Sequence, residues 1–358
     1  MATKPNYLKI YEYLRQRILS GQYAYQTKLP SKRALAADFD VSVITTEHAY
    51  ELLEEEGYII SKPRSGYFVI YRDQTLFGNT DVTQITTIED GPKNMPVNTE
   101  EAIPFPAYAK AYRKALTEQG ENLFKTCPNQ GLYELRYEIA SYLLRNRGMQ
   151  VDPSQIFIGS GAESLYGMII QMLGRSEIYG LEDPCYDRIP KVYHANGAET
   201  RALPMGPDGI KGEALRQTDA TVLHVTPYQS YPSGITASAS KRQEYIHWVQ
   251  SSEKPRMIIE DDFNSEFTLL RKAEDTLFSL EPLQHVFYMN TFSLTISRAM
   301  RVGYLIFPKE RKEQLYGRIS FYACSVPVID QYVLAELLRN GSFERHINKV
   351  RRSLRKKD

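Results

Sequence analysis

The sequence predicts two folded parts of different class in one chain: an α-rich module ending in a β-hairpin, then a larger α/β domain with a largely parallel sheet. Three observations predict this. Residues 7 to 57 carry apolar side chains at helical spacing, punctuated by capping residues. "YIISKPRSGYFVI" then gives two short β-rich runs around a tight basic turn. From about residue 103 the short apolar runs "QIFIGSG", "EIYGLE", "TVLHVTP", "RMIIEDD" and "VFYMNTF" alternate with helix-patterned stretches. Buried runs of that length separated by helices indicate a parallel sheet covered on both faces.

The bulk properties agree. A chain of 358 residues has room for about two domains of roughly 150 residues each. Hydrophobic content of 42% and charged content of 24% suit a globular protein with real cores. A formal net charge of +1 excludes a chain-wide pull on nucleic acid, so such a partner needs a local patch. Cys127, Cys185 and Cys324 lie far apart without CxxC spacing, which argues against a disulfide framework or a zinc module and fits a reducing cytoplasm. The start "MATKPNYLKI" has no apolar targeting region, and no run approaches 18 apolar residues, so neither export nor membrane spanning is expected. The six histidines include no i,i+4 pair, and GxSxG, P-loop and GxGxxG patterns are missing. Hydrolase, metal and dinucleotide readings are therefore disfavoured.

Texture divides the chain into residues 1–71, a polar linker over 72–102, the α/β domain over 103–320, and a basic end over 321–358. In the first part, "YLKIYEYLRQRILS" puts Leu8, Tyr11, Leu14 and Ile18 at helical spacing, and Gly21 closes that helix. Ser31 caps a helix through Ala37, Asp38–Asp40 make a turn, and Ser42 caps a second helix pointing Ala49, Tyr50, Leu52 and Leu53 inward. Gly57 ends it and the hairpin follows. Helix, turn, helix and hairpin form a winged helix-turn-helix pattern. In that geometry the second helix enters a major groove, and Lys32, Arg33, Lys62 and Arg64 meet phosphates. Thr45, Thr46 and His48 are candidates for base or backbone contacts, with Gly66 in the wing. From these residues alone, a helical domain with a solvated basic face stays open.

The run "LPSKRALAADFDVS…TEHAYELLEEEGYI…PRSGYFV" resembles the DNA-binding domain of GntR-type bacterial regulators across residues 7–70. The resemblance implies double-stranded operator DNA as partner. Val43 and Glu47 stand where that family often carries arginine at the start of the recognition helix, which weakens the expected phosphate clamp.

In the α/β part, "GSGAESLYG" follows a strand and opens a helix. Free amides there make an anion site, or the glycines serve only a tight turn. "LEDPCYDRIP" offers Tyr186 on a turn, for a ligand or for loop packing. "MIIEDDFNSEF" sets Asp261 and Asp262 at a strand's C-terminal end, where open α/β sheets bind ligands. Such acids serve a metal, a pyridinium nitrogen or a helix cap. "NTFSLTISRAMRVGYLIFP" adds Thr291, Ser293 and Arg301, suited to a phosphate.

In this order, with "NQGLYELRYEIASYLLRNRGM" and "TPYQSYPSG", the pieces resemble the large domain of fold-type I pyridoxal-phosphate-dependent aminotransferases. With the N-terminal module they resemble MocR-type regulators over nearly the whole chain. The resemblance implies that the amides of Ala162 and Glu163 face a cofactor phosphate, that Tyr186 stacks on the ring, and that Asp261 pairs with the ring nitrogen. It also implies that Thr291, Ser293 and Arg301 complete the phosphate cup, and that the protein is a homodimer. Four departures follow. Leu294 occupies the position of the Schiff-base lysine, and a leucine has no amine to form one. Phe263 replaces a tyrosine, Gln229 and Ser230 replace a His–Gln pair, and the family's last subdomain is absent after "FERHINKVRRSLRKKD", read here as a solvated long helix. The expectation is a cytoplasmic, dimeric transcription regulator with no catalytic residues and no metal, holding pyridoxal phosphate non-covalently at most, or no cofactor. The alternatives are a decayed regulator without an effector and a pyridoxal-phosphate-dependent aminotransferase.

Overall fold

In a computed structural model of the protein, the described residues are 5–63, 65–71, 103–268 and 275–356. The 72–102 linker and Arg64 lie outside them. The chain divides into two compact units between Asn94 and Met95.

The first unit holds α1 (Asn6–Leu19), α2 (Lys32–Asp38), α3 (Val43–Glu55) and the antiparallel hairpin β1 (Ile59–Lys62) and β2 (Gly66–Val69). Both expected caps form: Ser31 Oγ accepts from the Ala34 amide and Ser42 Oγ from the Thr45 amide, each at 3.1 Å. Each supplies a partner to an amide that the first helical turn leaves open. The core joins Ile10, Leu14 and Ile18 of α1 to Leu35, Ala49, Tyr50, Leu53, Ile59 and Val69. Ile10 is the buried residue of the first turns, whereas Leu8 and Tyr11 flank the stripe half-buried. Gly57, at φ +77°, lets the chain leave α3 straight into the hairpin.

The second unit begins with α4 (Phe105–Gln119) and α5 (Tyr133–Arg147). Then come β3 (Ile156–Gly159), α6 (Ala162–Leu173), β4 (Ile178–Asp183), α7 (Arg188–Ala195), β5 (Glu199–Gly206), β6 (Gly209–Ile210) and α8 (Gly212–Gln217). They are followed by β7 (Val222–Val225), α9 (Ala239–Gln250), β8 (Met257–Asp261), α10 (Leu277–Leu280), β9 (Val286–Thr291) and β10 (Gly303–Ile306). The last elements are α11 (Lys312–Gly317), α12 (Val328–Arg339) and α13 (Ser342–Leu354). The sheet order is β3-β10-β9-β8-β7-β4-β5-β6. The strands β5, β4, β7, β8 and β9 pair in parallel, and β10 runs antiparallel to both β9 and β3.

Successive residues of the central strands enter two different cores. Ile156, Ile158, Leu223, Ile258 and Tyr288 face one layer, while Phe157, Val222, Ile259, Phe287 and Met289 face the other. A strand covered on both faces must be apolar at every position. That is why β3, β4, β7, β8 and β9 stood out as unbroken runs. The final helix forms as expected but is not simply solvated. Gly341, at φ +70°, separates α12 from α13. The helix α12 packs on α4 and α5, and α13 buries Phe343, His346, Ile347 and Val350.

Candidate functional site

The strands β3, β8 and β9 end on the same edge of the sheet. Gly303 of β10 lies in register with both Gly159 and Thr291, which brings the starts of the two following loops together. A Cβ at Gly303 would come within 3.0 Å of the Asn290 carbonyl and 3.1 Å of Leu165. The close approach of the three strand ends therefore requires glycine.

Asp261, the last residue of β8, is 3% exposed. Its Oδ2 accepts the Tyr166 hydroxyl at 2.6 Å and lies 3.3 Å from His224 Nε2, while His224 Nδ1 lies 2.9 Å from the Tyr193 hydroxyl. Burial first, then Asp261, pushes the Tyr166 phenol well above its usual range, so it stays a donor. Asp261 Oδ1 is equally buried and has no hydrogen-bond partner. A buried oxygen of this kind costs about 1–3 kcal/mol unless a donor reaches it. The carboxylate is thus held from one side with its other oxygen free, which fits the protonated nitrogen of a pyridine ring. Asp262 turns elsewhere: it accepts from Arg147 and, at 2.8 Å, from the Tyr288 hydroxyl. The two neighbouring acids do separate jobs.

At the other end, Gly161 starts α6 at φ +88° with no side-chain cap. A Cβ there would sit 3.0–3.3 Å from the Arg301 guanidinium, so Arg301 lies against the open helix N-terminus. Glu163 lies there too. Its carboxylate accepts from Arg301 Nη2 and from Arg188 Nη1 at 2.9 Å. Burial opposes its ionisation, but the donors around the carboxylate outweigh burial and hold it below the usual carboxylate range. Glu163, whose amide is expected to face a phosphate, turns its carboxylate to the two arginines. Ala162 opens the same turn. Ser325 Oγ donates to Ser160 Oγ at 3.1 Å beside it.

Thr291 is buried at the end of β9, and Ser293 Oγ is 3.4 Å from the Met300 carbonyl. Tyr186 is half-buried, with its ring edge-on to Tyr231 at 6.1 Å. Leu294 is half-buried in the turn after β9, and Phe263 is half-buried after Asp262. Ser230 Oγ donates to the buried Glu182 at 2.5 Å, and Gln229 Oε1 accepts from Asn264 at 2.7 Å, so the 228–232 turn is tied to the strand ends. An adjacent groove, lined by Ile103, Tyr108, Ile296, Met300, Arg301 and Asp330 among others, opens to solvent. Among the described residues no group of three or more His, Cys, Asp or Glu could hold a metal ion. Sequence reasoning missed Tyr166, His224 and Arg188. A lone histidine inside the apolar run "TVLHV" was the one signal available for them.

In the first unit, Lys32 Nζ bonds Glu47 at 2.6 Å, so its charge is already paired. Arg33 is exposed, and Lys62 is exposed with its ammonium 4.6 Å from the Phe68 ring centre. Thr45 is half-buried with Oγ1 2.8 Å from Ser42 Oγ, and His48 is exposed and stacked on Tyr7 at 4.4 Å. Gly66 sits at φ +100° in the wing. Thr46 departs from expectation. It is fully buried, on the same stripe as Ala49, Tyr50 and Leu53, so it belongs to the core and offers DNA nothing. Ile44, 77% exposed, presents the apolar tip that sequence reasoning passed over.

Residues 6–69 match the bacterial regulatory proteins of the gntR family, and residues 93–357 match aminotransferase class I and II. The chain is 32% identical to an uncharacterised HTH-type transcriptional regulator of Bacillus subtilis, YdeL, over 99% of this chain and 77% of that protein. It is 29% identical to the HTH-type pyridoxine biosynthesis transcriptional regulator PdxR of Corynebacterium glutamicum, over 96% and 75%. With the probable rhizopine catabolism regulatory protein MocR of Rhizobium meliloti it shares 26% identity, over 98% and 75%. Among solved structures, an archaeal alanine:glyoxylate aminotransferase shares the fold at TM-score 0.62 and 22% identity, over 68% of this chain and 62% of that one. LysN, an α-aminoadipate aminotransferase from Thermus thermophilus, does so at TM-score 0.61 and 22% identity, over 72% and 66%. The chain thus spans less than two thirds of each of these aminotransferases. No described helix is long and apolar enough to cross a membrane. With a gntR-family module ahead of an aminotransferase domain, and likeness to these regulators along its whole described course, the chain belongs to the MocR-type HTH transcriptional regulators, DNA-binding proteins that carry an aminotransferase-like domain.

Proposed function

We propose that the aminotransferase-like domain of this regulator binds a pyridoxal-type ligand reversibly, pairs two copies of the chain, and does not transaminate. The observation that carries the ligand reading is Asp261 Oδ1, a buried carboxylate oxygen without a partner at the end of β8. Asp261 would keep a ring nitrogen protonated, with Tyr166 and His224 fixing the carboxylate from behind. Tyr186 would offer an aromatic face. Arg301, Thr291, Ser293 and the Ala162 amide would surround the substituent at the α6 N-terminus. When bound, pyridoxal phosphate supplies an electrophilic aldehyde on an electron-withdrawing ring. Leu294 supports the non-catalytic part of the reading. The turn after β9, "FSLTIS", has no amine to hold that aldehyde, and Phe263 brings no hydroxyl to it.

At the DNA end, Arg33, Lys62 and Arg64 would meet phosphates, while Ile44 and Thr45 at the start of α3 would meet base edges. Lys32, neutralised by Glu47, would contribute less than the family pattern implies. Two copies in the cytoplasm would match two half-sites. A footprint on the DNA upstream of the protein's own gene, with and without pyridoxal phosphate, tests this. Protection of paired half-sites that changes with the ligand is expected; protection indifferent to every pyridoxal-type ligand would remove the sensing role.

A further inference from the structure

Glu163 already pairs with the two arginines at the start of α6. Arg301 and Arg188 both donate to its carboxylate. Gly161 leaves no room between loop and guanidinium, so Arg301 is packed onto the helix start with Glu163 as its counter-ion. This internal anion is tethered to the helix and loses no translational freedom when it binds, whereas a free ligand does. A phosphate reaching Arg301 meets a guanidinium already paired with Glu163, and that carboxylate then lies beside a dianion. The Glu163 side chain is 24% exposed, which shields it from much of the solvent that would soften the repulsion. A neutral hydroxymethyl group meets no such conflict, and the Ser160 and Ser325 hydroxyls stand ready as partners.

We infer that Glu163 is a built-in competitor for Arg301 and Arg188, and that the pocket therefore selects pyridine ligands lacking a phosphate over their phosphorylated forms. The inference rests on the reading of Asp261 as the ring-nitrogen partner. Its test separates the two. Equilibrium dialysis of the full chain with pyridoxal and with pyridoxal phosphate is compared between wild type and Glu163→Gln. Wild type binds pyridoxal at least as tightly as pyridoxal phosphate. Freeing the arginines raises the affinity for pyridoxal phosphate about 10- to 100-fold, the range of a charge-assisted hydrogen bond, and leaves pyridoxal within about 2-fold. A wild type that prefers pyridoxal phosphate by about 10-fold or more, together with an unimproved Glu163→Gln, overturns the inference. If neither pyridine binds either protein, the Asp261 reading fails and inorganic phosphate still decides on Glu163. Its phosphorus NMR line broadens with Glu163→Gln and not with wild type; equal lines for both proteins refute the competition. Thermal melts of both proteins establish that the variant is folded.

Discussion

Arg147, in the last turn of α5, reaches across to the loop after β8 and donates to Asp262 Oδ2 and Ser265 Oγ. Its side chain is 11% exposed and that of Asp262 is 5%. Burial alone would lower the guanidinium's pKa, but Asp262, Tyr288 and Glu266 reverse this and hold it charged. Arg147→Met keeps most of the aliphatic stem and removes the charge. Asp262 would then be a buried carboxylate with one hydrogen-bond donor, the Tyr288 hydroxyl. Breaking a buried pair this way costs about 3–5 kcal/mol, a large part of the roughly 5–15 kcal/mol that keeps a domain folded. Arg147→Met/Asp262→Asn also removes the orphaned charge, and is expected to recover about half of the loss or more. The assay is urea unfolding followed by tryptophan fluorescence. Trp248, the single tryptophan, is buried on α9 and reports on this unit alone. A single variant within about 1 kcal/mol of the parent, or a double variant no better than the single, would refute the reasoning.

Three further outcomes follow from the same geometry. Thr46→Val, which removes a buried hydroxyl without a partner, is expected to leave DNA affinity unchanged and thermal stability equal or higher; lost DNA binding in a folded variant would return Thr46 to the interface. Lys62→Ala should weaken binding to all sequences alike and reduce the slope of log affinity against log salt by about 1; an unchanged slope would take Lys62 off the phosphates. Burial, foremost, raises the carboxyls of Glu182 to about 7, Glu260 to about 8 and Glu266 to about 7, from 4.5. The folded unit therefore holds these protons more tightly than the unfolded chain. Their contribution is full below about pH 4.5 and is lost as pH rises through about 7 to 8. The urea midpoint of this unit should accordingly fall between about pH 4.5 and about pH 8; a flat or rising midpoint contradicts the assignment.

Much of the fold was legible because its signals are local. The five strands read correctly are apolar at nearly every position, since helices cover both faces of the sheet. β5 was missed because Leu203 is its one buried residue near the sheet's edge, and β10 because "GYLI" was read together with the phosphate-holding residues before it. Two misreadings had their correction in the sequence. Thr46, Ala49, Tyr50 and Leu53 share one helical stripe, and Phe343, Ile347 and Val350 form another beneath the charges of the final helix. The site was legible only in part. Asp261 stands at a strand end, as expected, but Tyr166 and His224 reach it from 95 and 37 residues away. Arg301 meets Glu163 across 138 residues. Spacing along the chain announces a helix start; it does not announce which cations the fold lays upon it.

Borohydride reduction of the full chain saturated with pyridoxal phosphate, and separately with pyridoxal, tests the non-covalent, non-catalytic pocket most directly. Equilibrium dialysis of wild type and Asp261→Ala gives occupancy, and peptide mass spectrometry locates any adduct. Saturable binding that Asp261→Ala abolishes, with no reduced adduct on any pocket residue, is the predicted result. A stoichiometric, Asp261-dependent adduct on a lysine would contradict it.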